Sequence, residues 1–223
     1  MSFQTTVIIP AAGSGQRFGS HTKKQFLTLE GKSLLERTIE IFDRSGLVDR
    51  IVVCLPADEI DSLFLPQTQT PLVKVLGGNS RSESVHRGVL QAAVTGEDRV
   101  LIHDAVRCLL STSLIRRVLQ ALDHYAAVVP ALLPVDTVKE VSEDQVIRTI
   151  PRQNLRLIQT PQGFHASVLR QAYEKLDFAN SLYTDESMLV EALGIPVYTV
   201  EGEKNNLKIT SKEDWFWAET LLK

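Results

Sequence analysis

The feature that most constrains this chain is a break in its first apolar run. Val7, Ile8 and Ile9 stop at Pro10, and the chain then empties into Ala11, Ala12, Gly13, Ser14 and Gly15. A β-branched run of this kind reads as a buried strand, and the residues after it are too small to fill the space at its end. Gly13 and Gly15 let backbone N–H groups come close to a ligand. Arg17, Lys23 and Lys24 bring positive charge to the same neighbourhood, the combination that a polyphosphate requires. The stretch from Pro10 to Gln25 therefore reads as a phosphate-cradling loop. Taken alone it also leaves an ordinary sharp turn with solvated basic residues open. Two familiar phosphate motifs are excluded: the glycines Gly13, Gly15 and Gly19 are one residue off the dinucleotide fingerprint, and the G-K-[ST] of a P-loop is absent.

Composition narrows the partners. With 223 residues and 43% hydrophobic content the chain can bury a substantial core, and it is expected to form one domain over residues 1–223. Lys and Arg number 24 against 27 Asp and Glu, so no global basic field draws it to nucleic acid. No apolar run approaches a membrane span, and the N-terminal residues have no basic region leading into one. The expectation is a cytoplasmic protein, or the mature form of an imported one, with neither nucleic acid nor membrane as partner. Cys54 and Cys108 are far apart and form no C-x-x-C pair, so neither a disulfide framework nor a zinc site is indicated.

Along the chain, apolar strands at 7–9, 50–55, 73–76, 100–102 and 126–133 alternate with helical patterns. Helices are expected after Ser33-x-x-Glu36, which has the capping-box form, at 58–64, after Ser80-x-x-Glu83, and at 111–122. This predicts an α/β fold, a Rossmann-like, mostly parallel sheet flanked by helices. Two more strands empty into polar loops, the third at Gly77-Gly78-Asn79-Ser80 and the fourth at His103-Asp104-Ala105-Val106-Arg107. Asp104 fits a Mg²⁺ ligand as well as it fits a helix cap or a partner for Arg107. His103 reads as structural, since no nucleophile lies near it in sequence. Residues 137–141 and 146–150 alternate in period two around a polar turn, which predicts a half-exposed hairpin, a protruding arm over 136–152 that packs on a second copy of the chain. Beyond it a strand is expected at 155–159, a loop at 160–163, helices from Ala166 and from Asp185, a strand at 197–200, and a final helix in which Trp215 and Trp217 serve packing.

The ordered set P-A-A-G-x-G-x-R, K-Q, G-G, H-D-A-x-R, D-T, T-P-Q, T-D-E and N-x-K-I-T runs from Val7 to the final helix. In this the sequence resembles the 2-C-methyl-D-erythritol 4-phosphate cytidylyltransferases. The resemblance implies a Mg²⁺-dependent reaction of CTP with that polyol phosphate, giving a CDP-alcohol and pyrophosphate, by a homodimer. It also implies that Arg17 and Lys24 grip the triphosphate and that Lys208 belongs near the α-phosphate. Pro10, Ala11, Ala12, Gly13, Gly15, Gly78, Asn79 and Ser84 would line the nucleotide site, with Asp104 as metal ligand. Arg107, Asp136, Thr137, Arg152, Thr160 and Thr184 would serve the acceptor, partly across a dimer interface. Cys108 and Lys23 stand where relatives commonly have proline, and Asn79 where they are often acidic.

The chemistry so implied needs charge rather than a nucleophilic side chain, because a phosphate dianion is already the nucleophile. That suits a sequence with many basic candidates and no Ser-His-Asp or Cys-His arrangement. The competing expectations are a cytidylyltransferase for another polyol phosphate such as ribitol 5-phosphate, a non-catalytic nucleotide-binding module, and a dinucleotide-dependent oxidoreductase. The misplaced third glycine weighs against the last.

Overall fold

The computed structural model describes residues 3–13, 23–177 and 183–223. Gly15 and Arg17, assigned above to the phosphate loop, lie outside the described residues. In chain order the strands of the first half are β1 (Thr5–Pro10), β2 (Thr28–Leu29), β3 (Lys32–Ser33), β4 (Arg50–Leu55), β5 (Leu72–Leu76) and β6 (Arg99–Ile102). Those of the second half are β7 (Ala127–Leu132), β8 (Val138–Ser142), β9 (Gln145–Ile150), β10 (Leu157–Ile158), β11 (Gln162–His165) and β12 (Tyr198–Glu201). The helices are α1 (Leu34–Ser45), α2 (Arg81–Ala92), α3 (Thr112–Ala121), α4 (Ala166–Lys175), α5 (Glu186–Ala192) and α6 (Lys212–Leu222).

β1 lies between β4 and β6, parallel to both, and β5 continues the parallel set beyond β4. Its apolar residues alternate between two cores, as a strand covered on both faces requires. Val7 and Ile9 join Leu35, Ile39 and Phe42 of α1 and Leu114 and Val118 of α3 on one face. Ile8 joins Val85 and Val89 of α2, Leu169 of α4 and Leu189 of α5 on the other. The apolar faces of these helices thus cover the sheet. Ser33 and Glu36 form the expected reciprocal capping box at the start of α1. At α2 Ser80 caps Glu83, but the Glu83 carboxylate accepts from the Asn79 N–H instead of closing the box.

Four expectations are corrected. Residues 162–163, expected as loop, begin β11, which enters antiparallel between β6 and β7 and makes the sheet mixed. Gly163 carries no strand propensity; it sits there because α3 packs so close that a Cβ would lie 2.7 Å from Val118 Cγ1. The stretch 58–64 forms turns instead of a helix. The Lys74 ammonium takes the carbonyls of Ile60 and Leu63, at 3.1 and 2.6 Å, that a continuing helix would use. The strand expected at 155–159 pairs only at Leu157 and Ile158, after a 3-10 turn at Arg152–Asn154. In α6, Ala218 and part of Trp215 reach the small core formed with Leu34, Val106 and Ile209, whereas Trp217 is 59% exposed and does not serve packing.

β8 and β9 form their own two-stranded sheet around the turn at residues 143–144, as the alternation indicated. Val141, Val146 and Ile147 on it are more than half exposed, at 57%, 54% and 53%.

Candidate active site

β1, β5 and β6 all end on one side of the sheet, and the chain runs outward from β1 to β4 and β5 before crossing back to β6 on the other side of β1. That is the switch point at which open α/β sheets bind ligands. The loops there are held close. Ala11 N–H donates to the carbonyl of Cys54 at 2.8 Å, and Gly77 N–H to that of Leu55 at 2.7 Å. A Cβ on Gly77 would fall 2.3 Å from that of Ala12, so only glycine allows this approach. The buried Gln25 donates its amide to the carbonyls of Ala11 and Gly13, at 2.6 and 2.9 Å, and pins the start of the phosphate loop from behind. Ser84 donates to the Ser80 carbonyl and accepts from Gly78 N–H, which fixes the second loop.

The loop after β6 is held by a relay of hydrogen bonds. Asp104 N–H donates to Thr160 Oγ1 at 3.1 Å, that hydroxyl lies 3.0 Å from His103 Nδ1, and His103 Nε2 lies 3.1 Å from the Arg107 carbonyl. The directions are consistent with one tautomer: the Thr160 hydroxyl donates to Nδ1, and Nε2–H donates to the carbonyl. His103 is fully buried, and burial pushes it down to about 4, against the pull of the Arg107 carbonyl and Asp104. A neutral, doubly bonded imidazole is a structural part, as its sequence context indicated.

The relay presents Asp104 to three cations. Its Oδ1 is 3.2 Å from Arg81 Nε, and its Oδ2 is 3.2 Å from Arg107 Nε and 3.0 Å from Lys208 Nζ. Burial works to raise this carboxyl, but the charges of Arg81, Lys208 and Arg107 hold it well below the usual carboxylate range. Lys208 comes from the far end of the chain on a segment stitched to the same loop. Ile209 N–H donates to the Val106 carbonyl at 3.1 Å, and the Asn206 carbonyl accepts from Arg107 Nη1 at 2.8 Å. Asn206 and Ile209 are both fully buried.

Two cavities meet over this cluster. One, of about 440 Å³, is bordered by Pro10 to Gly13, Lys24, Gly78, Asn79 and Ser84. The other, of about 230 Å³, is bordered by Arg107, Gln159, Thr160, Gln162, Thr184 and Asp185. Arg81, Asp104 and Lys208 border both. The described residues of the sequence-derived nucleotide set thus gather around the first cavity, and Arg107, Thr160 and Thr184 around the second. Lys24 faces the first cavity, while Lys23 is engaged with Asp58 at 2.5 Å. Asp136, Thr137 and Arg152 border neither; they are exposed at the root of the arm, where Arg152 donates to the Val135 carbonyl. Sequence reasoning gave no role to Arg81, Gln25, Asn206 or Glu186. Arg81 follows the helix-capping Ser80 directly, the one signal that could have marked it.

Among the described residues no group of three or more His, Cys, Asp or Glu could hold a metal by itself. Asp104 offers a single carboxylate, which fits Mg²⁺ in the mode where substrate phosphates complete the shell. The surrounding cations favour its arrival with a polyanion.

Two anion-sized spaces sharing one cationic seam, at the carboxyl ends of the parallel strands of a mixed sheet, fit an α/β nucleotidyltransferase. Comparison with known proteins agrees. A family model described as IspD: 2-C-methyl-D-erythritol 4-phosphate cytidylyltransferase matches residues 5–223. The 2-C-methyl-D-erythritol 4-phosphate cytidylyltransferase of Frankia casuarinae is 42% identical over 221 residues, 98% of this chain and 81% of that protein. The one from Caldicellulosiruptor bescii is 37% identical over 222 residues, 98% and 97% of the two chains. The crystal structure of the Thermus thermophilus enzyme matches with a TM-score of 0.80 at 35% identity, over 98% of both chains. The Francisella tularensis structure matches at 0.85 and 31% identity, over 97% of this chain and 99% of that one. The chain belongs to the 2-C-methyl-D-erythritol 4-phosphate cytidylyltransferase family.

The buried His103 carries a pH dependence with a definite sign. An unfolded histidine takes up its proton near pH 6.5, while the folded one does so only near 4. Its contribution to stability is therefore complete above pH 6.5 and is lost as pH falls toward 4. Urea unfolding at pH 7 and pH 4.5 is expected to show a loss in the unsubstituted protein about 2 kcal/mol larger than in His103→Gln. Equal losses in the two proteins would show that His103 is not held neutral.

Proposed function

We propose that the protein transfers the cytidylyl group of CTP to 2-C-methyl-D-erythritol 4-phosphate, releasing pyrophosphate, as a step of non-mevalonate isoprenoid synthesis in the cytoplasm. The observation that carries this is the seam of Arg81, Asp104 and Lys208 common to both cavities. CTP takes the larger cavity, with its triphosphate along the Pro10–Gly13 loop and Lys24. The acceptor phosphate takes the smaller one, beside Arg107 and Thr160.

An oxygen of the acceptor phosphate attacks the α-phosphorus in line. The bond from that phosphorus to the bridging oxygen breaks, and pyrophosphate leaves with the electron pair. Two anions must first be brought together, and Lys208 and Arg107 offset their repulsion from fixed positions. The acceptor dianion needs no general base, and His103, with both ring nitrogens committed, offers none. Mg²⁺, held by Asp104 and the phosphates, would neutralise charge on the triphosphate as the leaving group departs. Asp136, Thr137 and Arg152 would reach the acceptor from the arm of a second copy, since in their own chain they border neither cavity.

Pyrophosphate release measured over a panel of acceptors with CTP and Mg²⁺ tests the assignment. Methylerythritol phosphate is expected to be the fastest acceptor, with release negligible when any of the three components is omitted. Faster use of ribitol 5-phosphate would overturn the acceptor while leaving the transfer chemistry in place. For the shared site, sedimentation at micromolar concentration is expected to give a dimer; a monomer that is fully active at that concentration would remove the arm residues from the site.

A further inference from the structure

We propose that Glu186 is a positioning residue of the transfer site: its carboxylate holds one arm of the Arg81 guanidinium and so sets how Arg81 meets Asp104 between the two cavities. The proposal rests on the transfer function above and adds a residue that borders neither cavity.

Glu186 is the first residue of α5 and is fully buried. Its Oε2 lies 2.5 Å from Arg81 Nη1, and its Oε1 is 3.4 Å from the Tyr173 hydroxyl, a long contact. A buried carboxylate with a single close cation is expensive, and an apolar side chain of similar size would fill the same space at lower cost. Its charge is useful only through what Arg81 does. The guanidinium is a rigid planar fork that tends to close on a carboxylate with two nitrogens. Here Glu186 takes Nη1, and Arg81 reaches Asp104 through Nε alone at 3.2 Å. The second Asp104 oxygen is thereby left to Arg107 and Lys208. Without the Glu186 charge the fork is free to close on Asp104 and to compete with Lys208 for it. The cluster would then present a different charge arrangement to both cavities, with no contact between position 186 and substrate.

A double-mutant cycle reads this directly: pyrophosphate release by the unsubstituted protein, Glu186→Gln, Arg81→Lys and the double variant, with thermal midpoints recorded in parallel. Glu186→Gln is expected to lower kcat about tenfold or more with KM for CTP changed less than kcat, because the residue orients charge at the seam and touches neither ligand. In the Arg81→Lys background the same change is expected to cost less than about twofold, since the fork it orients is gone. Glu186→Asp, which keeps the charge, is expected to recover part of the loss and serves as the second variant if Glu186→Gln unfolds. An equal cost in both backgrounds, a kcat within about twofold of unsubstituted for Glu186→Gln, or no recovery with Asp would overturn the proposal. Absence of turnover in the unsubstituted protein would instead count against the transfer function, and the cycle would then be read in CTP affinity by calorimetry, with the same non-additivity expected.

Discussion

The structure around the site depends on one carboxylate that remains charged while nearly buried. Asp104 keeps its charge because Arg81, Arg107 and Lys208 surround it, and each of these comes from a different stretch of chain. Removing water raises the cost of any one of these charges; meeting in one cluster lowers it for all of them. Among the described residues, with Glu186 included, three cations stand against two carboxylates, which leaves positive charge on the seam where the cavities meet. A polyanion completes the balance. The same electrostatic arrangement thus holds three distant segments together and makes the place where they meet attractive to phosphate.

The rest of the fold delivers residues to that point. β1 and β6, covered on both faces, and the half-buried edge strand β5 run parallel to a common end, and the absence of a side chain at Gly77 lets two loops touch there. The relay from Asp104 N–H through Thr160 and His103 to the Arg107 carbonyl uses β11 to brace the loop after β6. Without that antiparallel strand Thr160 would have no reason to stand beside Asp104. The buried pair Asn206 and Ile209 does the same for Lys208. Rigid scaffolding of this kind is what lets charges act on a reaction without first having to move.

What was legible in the sequence follows the range of the forces involved. The parallel strands and the α1, α2 and α3 stripes could be read because period and capping are local, and Ser33 to Glu36 is a complete instance. The loops at 10–13, 77–79 and 103–107 could be read because a strand ending in small or ionisable residues is itself a signal. β11 could not, since Gly163 is in a strand only because α3 lies over it. The turns at 58–64 depend on Lys74, and no pattern within that segment mentions it. The Arg81–Glu186 pair escaped for the same reason: Glu186 lies in the T-D-E motif, but its partner is over a hundred residues away, and an arginine at a helix start looks like any other. The arm residues Asp136, Thr137 and Arg152 could be named from motif resemblance, yet their own chain leaves them outside both cavities.

The central claim is that the charge on Asp104 organises the cations that make transfer possible. The most direct measurement is steady-state pyrophosphate release, with CTP, Mg²⁺ and methylerythritol phosphate, by an Asp104→Asn protein whose far-UV spectrum matches the unsubstituted one. This near-isosteric change keeps the loop's backbone hydrogen bond to Thr160, removes the charge and turns one acceptor oxygen into a donor. A fall in kcat/KM of about 10²-fold or more is the expected result. Turnover within about threefold of the unsubstituted protein would contradict it, because the cations would then be acting without the carboxylate that gathers them.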